Sequence, residues 1–187
     1  MDVANLISRV RDHYVEQFQA FIAQQREDGA RGAAEVKFQL EDGSSLFENM
    51  YCADFVRNEG QAQVIELIPE QVLSFTRIRC SFGQTAPTID HLRWDDVLLH
   101  HDAEQLPAEG LSGWFRRWFD PAEERYDEAA EFSKIVHSLT ISTKSISADL
   151  GTAEPDAFWD MLQLLADAGA TQIRVTASRD EDQTEQS

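Results

Sequence analysis

The chain has 187 residues, 42% of them hydrophobic, with 11 Phe and 4 Trp. A chain of this size buries roughly 70% of the surface its unfolded form exposes, so one domain can hold its core without disulfides or a metal. Thirty-four Asp and Glu against 16 Lys and Arg give a net charge of −18, which repels nucleic-acid phosphates and anionic lipid headgroups and attracts basic partners or cations.

Residues 3–27 predict a long amphipathic helix. Leu6, Val10, Tyr14, Phe18, Phe21 and Ile22 recur at steps of three and four, and Gly29 and Gly32 end the run. From Ala34 the period changes to two, as Ala34, Val36, Phe38 and Leu40 alternate with Glu35, Lys37 and Gln39. A turn at Glu41-Asp42-Gly43-Ser44 leads to a second strand through Leu46–Val56, closed by Asn58-Glu59-Gly60. Further strands are expected at Gln63–Ile68, Leu73–Phe82, Thr88–Trp94 and Val97–His101, with Pro69 and Pro87 between runs.

Residues 102–131 break the alternation, and 103–131 read as a helical insertion. Beyond it, Ile135–Ile141 and Ile146–Leu150 predict strands. Pro155 opens an almost wholly apolar helix through Ala168, Gly169 caps it, and Thr171–Ala177 is a last strand with Ile173 and Val175 inward. The fold class is therefore α+β, a mostly antiparallel sheet covered by the N-terminal and C-terminal helices, ending in a β-β-α-β unit. Residues 1–178 form one domain, and 179–187 are an acidic, apolar-free tail expected to be disordered.

Cys52 and Cys80 are isolated and expected to be free thiols. The N-terminus lacks the charged and apolar regions of a signal peptide, and no apolar run approaches the ~20 residues of a membrane span. These readings place the protein in the cytoplasm, off membranes and away from nucleic acid.

No motif names a reaction. The chain contains no HExxH, GxSxG, GxGxxG or GxxxxGK[ST] run. Ligand-type residues are densest at Asp90-His91, Asp95-Asp96 and His100-His101-Asp102. Asp95-Asp96 suits a turn, and strand alternation sends His100 and His101 to opposite faces, so no metal and no cofactor are expected.

Trp114, Phe115, Trp118 and Phe119 would share one side of a helix and together cover ~600–1,000 Å². They either pack on the protein's own sheet or meet a partner protein. His137 reads as a hydrogen-bonded structural residue and Trp159 as core. The leading expectation is a non-catalytic acidic binding or regulatory protein, engaging a basic partner or a second copy of itself through 114–119. The alternative is a small hydrolase or ligand-binding domain built on Asp90, His91, His100, His101 and Asp102. Convergence of those side chains in one concave pocket favours the alternative.

Overall fold

The computed structural model describes residues 2–27, 29 and 31–179. Of the tail expected at 179–187, Arg179 is described and hydrogen-bonds to Asp95 and Asp96, and residues 180–187 lie outside the described residues. Among them the elements run α1 (Val3–Glu27), β1 (Gly32–Gln39), β2 (Met50–Glu59), β3 (Gln61–Ile65), β4 (Ile78–Arg79), β5 (Ala86–Ile89), β6 (Val97–His101), α2 (Ala108–Trp118), β7 (Ser138–Ile141), β8 (Ser145–Asp149), α3 (Asp156–Asp167) and β9 (Gln172–Thr176). The α+β class holds, with a long N-terminal helix and a shorter C-terminal one. No helix is long and apolar enough to cross a membrane among the described residues.

The strands form two sheets rather than one. β1-β2-β3 is an antiparallel meander, and β4-β5-β9-β6-β8-β7 is a mixed sheet in which β5 and β9 are parallel. The C-terminal unit explains the mixture. β7 and β8 form a hairpin, α3 then crosses over, and β9 lands on the far side of β6, antiparallel to it. β6 thus lies between two strands that follow one another along the chain.

Several boundaries differ from the alternation pattern. A 3₁₀ turn at Phe47–Asn49, with Glu48 and Asn49 at φ 55° and 52°, delays the second strand to Met50. Of Leu73–Phe82, Ile78 and Arg79 alone form a strand. Cys80 N–H donates to the Pro87 carbonyl at 3.0 Å, but Pro87 has no N–H to return and the ladder stops. Pro87 sits inside β5, not before it, and after Ile89 the chain leaves the sheet for a turn at Asp95-Asp96.

Two neighbouring ranks of residues run across the large sheet. Ile78, Ile89, Val175, Leu99, Ile146 and Ile141 are successive cross-strand partners, and the inner four are buried. One residue along, the partners are Arg79, Thr88, Arg174, His100 and Ser145, which are exposed or half-buried. Side chains alternate across a pleated sheet, so the first rank faces the helices and the second faces away from them.

The helix-facing side holds the core. Phe158, Met161, Leu162 and Leu165 of α3 are buried in one continuous cluster with that apolar rank and with Leu6, Ile7, Val10, Tyr14, Phe18 and Ile22 of α1. α1 bridges distant parts of the chain. Arg11 donates to the carbonyls of Thr152 and Ala153 at 3.2 and 3.3 Å, and Gln25 accepts from Arg57 of β2 at 2.9 Å. Trp159, expected in the core, is half-buried and stacks on Phe82 with centroids 6.2 Å apart.

Candidate functional site

The polar rank floors a concave trough of about 590 Å³ on the open face of the large sheet. Arg77 and Arg79 come from β4 and its approach, Thr88 and Asp90 from β5 and its exit, Arg174 from β9 and His100 from β6. All have the parity that points away from the helices. Local sequence explains this, because each alternates with an apolar residue of the core rank: Ile78 between the two arginines, Ile89 between Thr88 and Asp90, Val175 after Arg174, Leu99 before His100.

Asp90 organises the charges. Its side chain is 6% exposed, whereas Arg77 and Arg174 above it remain 58% and 56% exposed. Arg174 Nε donates to Oδ2 at 2.8 Å, while Arg77 donates Nε to Oδ1 and Nη2 to Oδ2, the latter at 3.3 Å. Burial pushes the Asp90 carboxyl up, but the two guanidinium groups outweigh it and hold the acid below its usual range. Asp90 is thus a fixed anion that pins two arginines side by side.

Asp102, at the other end, is consumed differently. It accepts from the Thr171 hydroxyl at 2.6 Å and from the Thr171 and Gln172 N–H groups at 2.8 and 3.1 Å. The Thr171 hydrogen bond, with the backbone donors behind it, lowers its acidity range. It anchors the start of β9 after α3.

Of the five residues nominated from sequence, the structure gathers Asp90, His100, His101 and Asp102 around this one concavity. His91 lies exposed beyond β5 and does not border it. His101 reaches the rim from the helix-facing side, where its partner is the buried Ile173, so the expected opposition of the two histidines holds. Its ring nitrogens are enclosed without a hydrogen-bond partner. Burial, reinforced by the Lys144 ammonium, lowers its pKa and keeps the ring neutral. Sequence reasoning missed the three arginines. Their signal was present as Arg77-Ile78-Arg79 and Ile173-Arg174-Val175, charges alternating with apolar residues on two strand segments.

A second titratable cluster lies inside the protein. His137, just before β7, faces Asp54 of β2 through Nδ1 at 2.8 Å and Glu35 of β1 through Nε2 at 3.2 Å. The three side chains are 2%, 5% and 3% exposed. Glu35 also accepts from Ser133 N–H at 2.6 Å and from the Thr152 hydroxyl. It sits at φ 51° within β1, a left-handed conformation that local hydrogen bonding must hold in place. Gly151 leaves room for the imidazole, since a Cβ there would come within 2.2 Å of the ring.

Burial lowers the His137 pKa, but its carboxylate partners more than reverse this, and the imidazolium form persists well above the usual range. The neighbouring Cys52 thiol is pushed by burial to about 12 and is uncharged. Burial likewise pushes Asp149 to about 8 and Glu66 to about 7, with the Asp54 charge adding to both. Asp54, His137 and Asp149 could each offer one atom to a cation, all within 4.8 Å of one another. Both His137 nitrogens are already engaged, so a metal would have to replace a hydrogen bond. The enclosure of these groups suits an architectural role, joining the small sheet to the large one.

The aromatic segment is part of the core. Trp114, Phe115, Trp118 and Phe119 are all buried. Trp114 Nε1 donates to the Ala157 carbonyl and Trp118 Nε1 to Asp160, each at 3.0 Å, which docks α2 on α3. Phe115 stacks on Phe119 with centroids 4.6 Å apart. The large apolar area that pointed to a partner is used within the chain, because packing on α3 satisfies both the rings and the indole N–H groups.

No protein-family pattern, curated protein or solved structure matches the chain.

Proposed function

We propose that this protein is a ligand-binding domain whose site is the trough on the open face of the six-stranded sheet. The observation that carries the reading is the convergence of Asp90, His100, His101 and Asp102, with three arginines, around one cavity of about 590 Å³. Cavities of roughly 300–1,000 Å³ with a few convergent polar groups are the usual form of small-molecule sites.

Binding fits the chemistry better than hydrolysis. A general acid or base needs a carboxyl that can exchange its proton near the working pH. Asp90 is held ionised by two arginines, and Asp102 by three donors from Thr171 and Gln172. Both carboxylates serve to position other groups. The partner-protein reading retains the net charge of −18 in its favour but loses the aromatic segment, which is enclosed. The unpaired thiols Cys52 and Cys80 suit the reducing interior of a cell, where the proposal places the protein.

Thermal melting against a diverse set of small molecules tests this directly. At least one compound is expected to raise the melting temperature, and the rise should vanish in Thr88→Trp, which fills the middle of the trough from its exposed face. A set in which no compound stabilises the parent, or in which every effect survives Thr88→Trp, would refute the proposal.

A further inference from the structure

We infer that the trough receives the anionic group of a small organic molecule, a carboxylate or a phosphate, between Arg79 and Arg174; this rests on reading the trough as a ligand site. The local charge has the sign that attracts an anion. In a chain of net charge −18, three of the 16 Lys and Arg border one trough, and among the described residues that line it three guanidinium groups outnumber two carboxylates, Asp90 and Asp102. Neutralising the buried Asp90 requires one arginine. It has two, and among the described residues no carboxylate pairs with the third, Arg79.

The arginines are also preorganised. Asp90 is enclosed beneath Arg77 and Arg174, so its grip fixes both guanidinium groups while leaving each side chain more than half exposed over the trough. A planar guanidinium held in place loses little freedom when it meets a second oxyanion, and its fork geometry matches carboxylate and phosphate oxygens. The cross-strand rank then sets the spacing. Thr88 stands between Arg79 and Arg174, offering a hydroxyl where two arginines flank it, and His100 follows on the other side of Arg174. Strands lie about 4.8 Å apart, so Arg79 and Arg174 straddle roughly 10 Å, wide enough for an anionic group between their side chains.

Size and polarity point to an organic ligand. The trough is far larger than a bare phosphate or carboxylate requires. Beyond the arginines it extends past Ala86, an exposed apolar residue of the same face, leaving room that suits the organic body of a ligand rather than a second charge.

The test is heteronuclear NMR of the full ¹⁵N-labelled chain, titrated separately with inorganic phosphate and with succinate. Saturable shifts at the Arg79, Thr88 and Arg174 amides are expected with at least one of them, weakening as sodium chloride rises. Arg79→Gln removes no ion pair and should leave the fold intact, while raising the dissociation constant about tenfold, the loss of one charge-assisted hydrogen bond. Response to phosphate alone or succinate alone identifies the phosphate or the carboxylate as the recognised group. No shift with either anion, or shifts indifferent to Arg79→Gln, would overturn the inference. In that event, neutral or cationic compounds whose stabilisation is blocked by Thr88→Trp would leave the ligand site standing. If no compound of any charge is blocked, the site reading falls as well.

Discussion

His137 and Asp54 lie 83 residues apart in the chain and meet at 2.8 Å, Nδ1 to Oδ1, in an environment almost closed to water. The contact spans the two sheets beside a backbone link of 2.7 Å from Cys52 N–H to the His137 carbonyl. Removing one partner of a buried ion pair strands the other charge, a loss of about 3–5 kcal/mol. Asp54→Ala should therefore lower unfolding stability by about that amount, read by denaturant titration. It also deprives Leu67 N–H of its 2.7 Å acceptor. A loss under about 1 kcal/mol would mean the sheets do not depend on this pair.

The same cluster fixes the direction of a pH effect. Asp149 and Glu66 are pushed up to about 8 and about 7, so the folded chain holds protons that the unfolded chain releases near pH 4. His137, also raised, supplies stability that is lost as pH climbs through its folded pKa. All three act with one sign, and stability should fall from about pH 5 toward pH 9. Glu35, held low, works oppositely only at the acid end, where its contribution disappears as pH falls through its depressed pKa. Melting temperatures across this range check the slope. Asp149→Asn, a neutral stand-in that keeps the acceptor for Gly151 N–H, should flatten the decline and exceed the parent above pH 8.

Trp114 tests the enclosure of the aromatic segment. Trp114→Ala empties a buried site and removes the hydrogen bond to the Ala157 carbonyl, so a loss of about 3–5 kcal/mol is expected by denaturant titration. A variant as stable as the parent that dissociates a dimer would return these rings to an interface.

His101 carries the opposite expectation. Two enclosed nitrogens without partners burden the fold, and His101→Leu should stabilise the chain by about 1–3 kcal/mol. A lower melting temperature would show that the nitrogens are satisfied by water.

Helical periodicity was legible because it is local. The stripe from Leu6 to Ile22 and the apolar run from Ala157 to Leu165 each declare a buried face within a few turns, and α1 and α3 follow. β4 was over-read because the spaced apolar residues Leu73, Phe75, Ile78 and Phe82 read as one strand, whereas Ile78 and Arg79 alone pair with β5. Both titratable sites depend on register that no short window contains. Arg79, Thr88, Arg174 and His100 become neighbours through a crossover that inserts β9 between β5 and β6. The buried cluster did leave a trace: Asp54 interrupts Cys52-Ala53-Asp54-Phe55 and Asp149 interrupts Ala148-Asp149-Leu150, acids inside apolar runs that no turn explains.

The central claim is the position of a bound compound, and a crystal structure with the most stabilising compound from the melting screen measures it most directly. Density is expected on the open face of the large sheet, over Thr88 and within hydrogen-bonding reach of Arg79 or Arg174. Density found only elsewhere, such as the more apolar groove between Phe47, Leu106 and Ile141, would contradict the claim.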